Sequence, residues 1–511
     1  MSTQPPLSIA QARPPASPFV PAGSSDPQSG PPLHETLSAD LVVVDFDETL
    51  FLGNSTECFL DAARPRLLGA LVLALLSAIR PWRWHLRKGL TTEQRDQFYR
   101  DHFRVWAVLL CAPWTVLLWR RRARAIMQEF ENQELVAALQ TAKHQEVVIA
   151  SYGYRFIIRP LLKHATVPTD RLVAGGLFGG PSLRRNGKAK RLVQTLGEPA
   201  LSEAAAITDS PRDRDLLDLV AQPALVAWPE VDARRAHEGV YLPLVYTQDV
   251  KRRGVNEVIR QVLLDDYALI LLCIFAVNPL ILGNLIGLTA AFFAFFCVYE
   301  VGYRENDLVA AKFESRPKLD PNHKHYESLG TMDSPAPWVW AMTLTALAAV
   351  SFNVSSWGET GFLVEALTTF GVWAGVLVTT RLLFRVYNHL NEPTRVQLFP
   401  MLQVAKTFGF LLLLPTTLAG GLFMLAQIVR RWMSYAAYRV GGDAPQMLSL
   451  VVRILAFVIL SVGVAAAMQS LDLFRHWHFW ALLGWAVIRA AGHLQLFARR
   501  SGRVKNSSPT A

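Results

Sequence analysis

Apolar residues are unevenly spread along this chain. Up to about residue 250 they come in short runs between charged and polar stretches, and from Val262 to about residue 497 they form long blocks. Three of the short runs stop abruptly at a polar side chain. Leu41-Val42-Val43-Val44 precedes Asp45, Val147-Val148-Ile149-Ala150 precedes Ser151, and Ala204-Ala205-Ala206-Ile207-Thr208 precedes Asp209. Short apolar runs without alternation fit strands buried on both faces, as parallel strands are. Helical stretches separate them, so the pattern predicts an α/β domain with a Rossmann-like sheet over 39–250. Polar groups at the carboxyl ends of such strands stand where these folds place their sites.

About a hundred residues separate the first two runs, too many for one crossover, and a helical cap is expected at about 51–145. It contains two apolar segments, Leu67–Ile79 and Val105–Trp119, each shorter than the roughly 20 residues of a full span. Each ends in a Trp/Arg collar, Pro81-Trp82-Arg83-Trp84 in one case and Trp119-Arg120-Arg121-Arg122 in the other. Helices lying in a membrane interface have this composition, and an ordinary buried cap is the other reading.

From Val262 onward, apolar runs fall at about 263–279, 281–300, 336–354, 361–384, 408–429, 448–468 and 477–495. Most are long enough to cross a bilayer, and they predict an all-α polytopic membrane domain over 251–497. Seven crossings from a cytoplasmic start would leave Arg430, Arg431, Arg499 and Arg500 outside, against the positive-inside bias. The run at 408–429 is interrupted by Pro415, Gly420 and Gly421. Six full crossings and one broken segment restore the bias and leave 498–511 as a basic cytoplasmic tail. Residues 1–38, rich in Pro, Ser, Gly and Gln, read as a disordered tail rather than an export signal. The first domain is therefore expected on the cytoplasmic face of the cell (inner) membrane.

A formal charge of +10 raises nucleic acid as a partner. The basic residues cluster beside apolar runs instead, as at Arg120–Arg124 and Lys251–Arg253, with no aromatic-basic groove pattern. Membrane lipid is the partner they imply, and nucleic acid is not. The four cysteines have no metal-site spacing, and Cys273 and Cys297 lie inside apolar runs as small hydrophobes. Nothing in the composition bears on oligomeric state.

The chemistry gathers after the three strands. Asp45-Phe46-Asp47-Glu48-Thr49 places two carboxylates two residues apart on a loop leaving a strand. One can attack phosphorus while the other protonates the leaving oxygen and then activates water. Ser151 and Tyr152 follow the second strand, where a hydroxyl and backbone amides can hold phosphate oxygens, with Thr49 as a further phosphate-binding candidate. Lys188, with Lys190 as the alternative, can neutralise the nucleophile and the transferring group. Asp209 and Asp213, in Asp209-Ser210-Pro211-Arg212-Asp213, add carboxylates to Asp45 and Asp47 as metal ligands. Hard oxygen donors without His or Cys favour magnesium over zinc.

In this order the motifs resemble those of the haloacid-dehalogenase-like (HAD) phosphatase superfamily, over about residues 40–225. The resemblance implies that Asp45 is the nucleophile, Asp47 the general acid/base, and the Phe46 carbonyl a magnesium ligand. The insertion between the first two motifs matches that family's cap placement.

In the second half, Glu300, Asp307 and Glu314 are heptad-spaced and share a helical face, with Asn306 beside them. Carboxylates on one face at a membrane boundary could hold a divalent ion and, through it, a phosphate; a solvated helix end is the plainer reading. Asn306-Asp307 and Glu314 resemble part of the first aspartate-rich motif of UbiA-type intramembrane prenyltransferases. Ala310 replaces the middle carboxylate, and Tyr387-Asn388-His389-Leu390-Asn391-Glu392 offers mostly amides where a second acidic motif is wanted. The resemblance implies transfer of a prenyl or phosphoribosyl group on polyprenyl phosphates. Glu365 within a run hints at an interior cavity, and Glu300, Asp307, Arg381 and Arg385 are its candidate lining. Three functions follow: a phosphatase acting on a lipid-linked (polyprenyl) phosphate or sugar phosphate, a bifunctional phosphatase-transferase, and a phosphatase whose membrane half is an anchor or transport path.

Overall fold

The computed structural model describes residues 39–506 apart from 85–88, 142–145, 168, 170, 253–254, 279, 315–316, 318 and 440–448. The tail expected at 1–38 and the end of the basic tail lie outside the described residues. The chain divides into two compact units, one up to Val240 and one from Tyr241.

The first unit is built on five parallel strands, β1 (Leu41–Asp45), β2 (Glu146–Tyr154), β3 (Arg171–Gly175), β4 (Ala205–Thr208) and β5 (Gln222–Leu225), in the order β3-β2-β1-β4-β5. Central β1 pairs with both β2 and β4. Val42 and Val44 enter a core with Phe59, Trp119, Ile149 and Ile157 on one face. Val43 joins Val148, Val173, Leu192 and Ala206 on the other. Burial on both faces explains why the run is continuous rather than alternating. The two strands at the sheet's edges escape that signature: β5 contains Pro223, which an edge strand tolerates because one side of its backbone is unpaired.

Among the described residues between β1 and β2 stand five α-helices, α1 (Ser55–Asp61), α2 (Arg66–Ile79), α3 (Thr92–Cys111), α4 (Thr115–Phe130) and α5 (Gln133–Thr141), where a cap is expected. The capping box of Thr91 and Gln94 starts α3. A bend of 112° separates α3 from α4. Beyond β2, α6 (Arg155–Leu162) and α7 (Gly180–Asn186) precede α8 (Lys188–Leu196), which buries Ala189 and Leu192 against the sheet.

The second unit is helical, with a core of aromatic side chains that includes Phe292, Phe295, Phe296, Trp373 and Phe410. Its main helices are α9 (Leu282–Phe313), α10 (Ala336–Phe352), α11 (Phe362–Asn388), α12 (Glu392–Thr407), α13 (Leu418–Arg439), α14 (Ser449–Met468) and α15 (Trp477–Asn506). Among the described residues, α9, α11 and α14 have the length and composition of a span, three rather than the six expected in this half. The run at 263–279 is a short π-helical segment and helix that carries the charged pair Asp265-Asp266. α10 has 17 residues. The run at 408–429 is broken between a 3₁₀ turn ending at Leu412 and the start of α13 at Leu418. The last run belongs to α15, whose helix continues to Asn506 through the first part of the expected tail. A fourth candidate, Arg66–Trp84, lies in the cap of the first unit. Helices of this length and composition point to association with a membrane.

Leu192 seats α8 on the sheet and is completely buried. Leu192→Ala is expected to destabilise the protein by about 2–5 kcal/mol, read as a lowered unfolding midpoint; an unchanged midpoint would contradict this packing.

Candidate active site

β1 ends at Asp45, and the chain folds back at once. Phe51 N donates to Phe46 O at 2.8 Å and Leu50 N to Asp45 O at 3.3 Å. Glu48 occupies the left-handed region, with φ of 63°, a strained position for a residue with a side chain. This tight loop puts Asp45 and Asp47 over the carboxyl end of the sheet.

Asp45 is held from three sides. Its Oδ2 accepts from Lys188 Nζ at 2.6 Å and Thr208 Oγ1 at 3.1 Å, and its Oδ1 from Phe46 N at 2.7 Å. Asp47 accepts from Ser55 N at 2.6 Å, at the start of α1, and from Ser151 Oγ at 2.9 Å. Ser151 Oγ in turn accepts from Gly153 N at 2.8 Å. A Cβ at Gly153 would lie 3.1 Å from Asp47 Oδ2 and 2.8 Å from Ile158, so the close approach of backbone to carboxylate needs glycine.

Lys188 opens α8 and is 2% exposed. Its Nζ donates to Asp45 and, at 2.8 Å, to Asp213 Oδ2. Lys190 is exposed, so of the two candidates only Lys188 reaches the carboxylates. Gly187 directs this turn with φ of 84°, and a Cβ there would lie 2.2 Å from Asp215 Oδ2. Asp213 is fully buried: its Oδ2 also accepts from Thr208 Oγ1 at 2.7 Å, while its Oδ1 has no hydrogen-bond partner. Asp209 Oδ1 accepts from Thr49 Oγ1 at 2.8 Å, and Asp209 N donates back to that hydroxyl at 3.2 Å.

The sequence-derived roles therefore sort unevenly. Asp45, Asp47, Ser151, Lys188, Asp209 and Asp213 converge. Thr49, expected to bind phosphate, is fully buried and spends its hydroxyl on Asp209. The Tyr152 ring lies with its centroid 4.7 Å from the Lys188 ammonium, a cation–π contact. Both Asp47 oxygens, like both Asp45 oxygens, accept hydrogen bonds from the protein. The Phe46 carbonyl accepts from Phe51 N at 2.8 Å in the turn. Thr208, the Ser55 amide and Arg184 were not foreseen. Thr208 was visible only as the last residue of an apolar run. Arg184, which links Asp101 of the cap at 2.8 Å to Tyr152 O at 3.3 Å, has no signal in its neighbours.

The Lys188 ammonium pairs with two carboxylates, Asp45 and Asp213, and Asp47 and Asp209 bring the cluster to four carboxylates. Burial pushes the Asp45 carboxyl up to about 7; the nearby charges of Asp213 and Asp209 push the same way and Lys188 opposes them. Burial would lower the Lys188 ammonium, but Asp45 and Asp213 outweigh it and raise it. Burial also raises Asp209. Among the described residues no group of three or more His, Cys, Asp or Glu side chains is arranged to hold a metal ion. The excess negative charge, together with the unpartnered Asp213 Oδ1, nevertheless fits a hard divalent cation.

The acidic candidates of the second unit have other employment. Glu300 is fully buried and accepts from Tyr241 OH at 2.8 Å, Leu244 N at 3.1 Å and Thr247 N at 2.6 Å, clamping the segment before the helices. Asp307 accepts from Tyr246 OH at 2.6 Å and pairs with Lys251. Glu314 pairs with Arg395. Each carboxylate is satisfied by its own protein partner, which corrects the expectation of a shared divalent ion. Asn306, Asp307 and Glu314 line a cavity, whereas Glu300, Arg381 and Arg385 do not. Glu365 is exposed in the first turn of α11 and accepts from Ser356 at 2.7 Å, not inside that cavity.

The family model for haloacid dehalogenase-like hydrolase matches residues 42–218, a stretch that holds every member of the constellation around Asp45. Over these residues the chain is similar to that family, and the similarity supports a phosphatase-type hydrolase activity. No curated protein and no solved structure matches the chain.

A carboxyl raised from 3.8 to about 7 stabilises the fold fully below about pH 4, and that contribution is lost as pH rises through about 7. The unfolding midpoint of the metal-free protein is therefore expected to fall more steeply between about pH 5 and pH 8 than that of Asp45→Asn. Parallel curves for the two proteins would contradict the raised carboxyl.

Proposed function

We propose that the chain is a membrane-bound, magnesium-dependent phosphatase that works through an aspartyl-phosphate on a lipid-linked phosphate or sugar phosphate. The observation that carries the reading is Asp45, buried at the end of the central strand and 2.6 Å from the Lys188 ammonium, with Asp47 fixed two residues on.

In this reading Asp45 attacks phosphorus: a bond forms from its carboxylate oxygen to phosphorus as the ester P–O bond breaks, and Asp47 gives the leaving oxygen its proton. Asp47 then takes a proton from water, whose oxygen displaces Asp45 and frees inorganic phosphate. Lys188 offsets the repulsion between the carboxylate and the phosphate dianion. Asp45, Asp209 and the free Oδ1 of Asp213 would hold magnesium. When bound, the ion supplies positive charge that polarises the phosphoryl group.

The lipid-linked substrate is supported by the spans of the second unit and by the cap. α2 is apolar all round, yet Leu67, Leu71, Leu75 and Ile79 are exposed along it, the composition of a helix that contacts lipid. Trp114 and Leu117 are exposed near the bend into α4, and Arg120, Arg121, Arg122 and Arg124, all exposed, follow them. Basic side chains beside an apolar tip favour an anionic membrane surface, and the cytoplasmic face is the side we assign to this domain. A phosphatase for soluble metabolites gains nothing from such surfaces.

Phosphate release by the purified protein is expected to need magnesium and to vanish in Asp45→Asn. Asp47→Asn should lower kcat by roughly 10²–10⁴-fold. Release by Asp45→Asn equal to the parent would sink the reading. In mixed micelles, a prenyl phosphate should be hydrolysed with higher kcat/KM than glycerol phosphate; the reverse order would rule out the lipid substrate while leaving the chemistry standing.

A further inference from the structure

The second unit contains a cavity of about 790 Å³ whose lining includes many basic and many aromatic side chains. Part of the basic lining is built on two buried carboxylates that are outnumbered by their cations. Asp265 lies within 3.2 Å of Arg430 and Arg489 and 3.5 Å of Arg453, and Asp266 within 2.6 Å of Lys406 and 3.0 Å of Arg431. Five cations share two carboxylates.

Burying charge is tolerated when it is balanced and hydrogen-bonded, and a surplus of one sign in a protein interior is costly. Gln427 eases the cluster through its side-chain oxygen, 3.1 Å from Arg430 and 3.3 Å from Arg453, but it carries no charge. Three of these guanidiniums keep buried N–H groups without a partner: Nε of Arg430 and Nε of Arg431, which both line the cavity, and Nε and one Nη of Arg453, which is fully buried and outside the lining. The site therefore has positive charge and unused donors to offer an anion. Tyr299, Tyr303, Phe384, Tyr387, Phe399 and Tyr435 line the same cavity, a surface suited to an apolar chain.

We infer that this cavity is a second ligand site, which takes a phosphate- or diphosphate-headed amphiphile and grips the anion directly with guanidinium and ammonium groups, without a divalent ion. Arginine forks match phosphate oxygens in pairs. Among the described residues, each carboxylate that lines the cavity already has a protein partner: Asp265 pairs with Arg430, Asp307 with Lys251, Glu314 with Arg395 and Glu257 with Arg260, and Asp320 accepts from Asn322 N at 2.9 Å. The inference shares with the preceding section only the choice of a phosphorylated lipid as ligand; it places the binding in the second unit and is independent of whether Asp45 is a nucleophile.

The test uses the full chain in detergent with Asp45→Asn in place, so that bound ligand is not consumed. Geranylgeranyl phosphate, geranylgeraniol and inorganic phosphate are titrated by calorimetry, with EDTA and with magnesium. The prenyl phosphate should bind equally under both conditions, and the alcohol and inorganic phosphate at least roughly tenfold more weakly. Arg431→Gln should weaken binding roughly ten- to hundredfold, as loss of a charge-assisted hydrogen bond does.

Ser434→Glu, a cavity position that adds a negative charge where the surplus is positive, guards against mistaking unfolding for lost binding. It should raise the midpoint of the ligand-free protein while weakening the prenyl phosphate. Binding abolished by EDTA would overturn the direct grip, and inorganic phosphate binding as tightly as the lipid would overturn the amphiphile. Unchanged affinity in both variants would overturn the site. Phosphate release by the parent protein, measured on the same preparation, reports separately on Asp45.

Discussion

The buried ammonium of Lys188, shared between Asp45 and Asp213, is the contact on which the first unit's chemistry depends. It joins the end of the central strand, the first turn of α8 and the turn after β4. Removing one partner of such a pair strands the other charges in a low-dielectric interior, which costs far more than the pair contributes when intact. The arrangement is therefore less a source of stability than a way to fix geometry. Thr208, bonded to both carboxylates, and Gly187, with its positive φ, serve the same end.

The two units carry opposite electrostatic surpluses. In the cluster at Lys188, four carboxylates exceed one ammonium, and a partner for that site must be cationic or bring a cation with it. Around Asp265 and Asp266, five cations exceed two carboxylates, and the complement is an anion. Folding alone would not select either imbalance, because a self-contained core favours neutral, paired groups. Both read as sites kept incomplete for a ligand.

The part of the fold visible in the sequence was the part governed by local rules. β1 and β4 are short apolar runs that stop at Asp45 and before Asp209, because parallel strands are buried on both faces and deliver polar groups at their ends; the apolar run of β2 also ends before Ser151, but the strand itself continues through Ser151 to Tyr154, with an irregularity in its pairing with β3. β3 and β5 lie at the sheet's edges and lack that signature, β5 even accepting Pro223. The converging carboxylates and Lys188 could be read from their order after the strands. Thr208 and the Ser55 amide could not, since their roles arise only when β4 and α1 are brought beside Asp45 and Asp47. In the second half the apolar runs were plain, but their use was not. The partners of Asp265 and Asp266 stand some 140 to 224 positions along the chain, and no spacing rule links groups so far apart. For the same reason Glu300, Asp307 and Glu314 looked like one acidic face, although each is bound to a partner from another segment.

The account stands or falls on Asp45 taking the phosphoryl group. The direct measurement is to mix the protein with a phosphorylated substrate and magnesium, quench in acid within the first turnovers, reduce with borohydride, and map the modified residue by mass spectrometry. An acyl phosphate at Asp45 is reduced to homoserine, and the account predicts that change at this position and at no other carboxylate. Phosphate release with Asp45 unmodified at every quench time, or with the modification at Asp47, would contradict it.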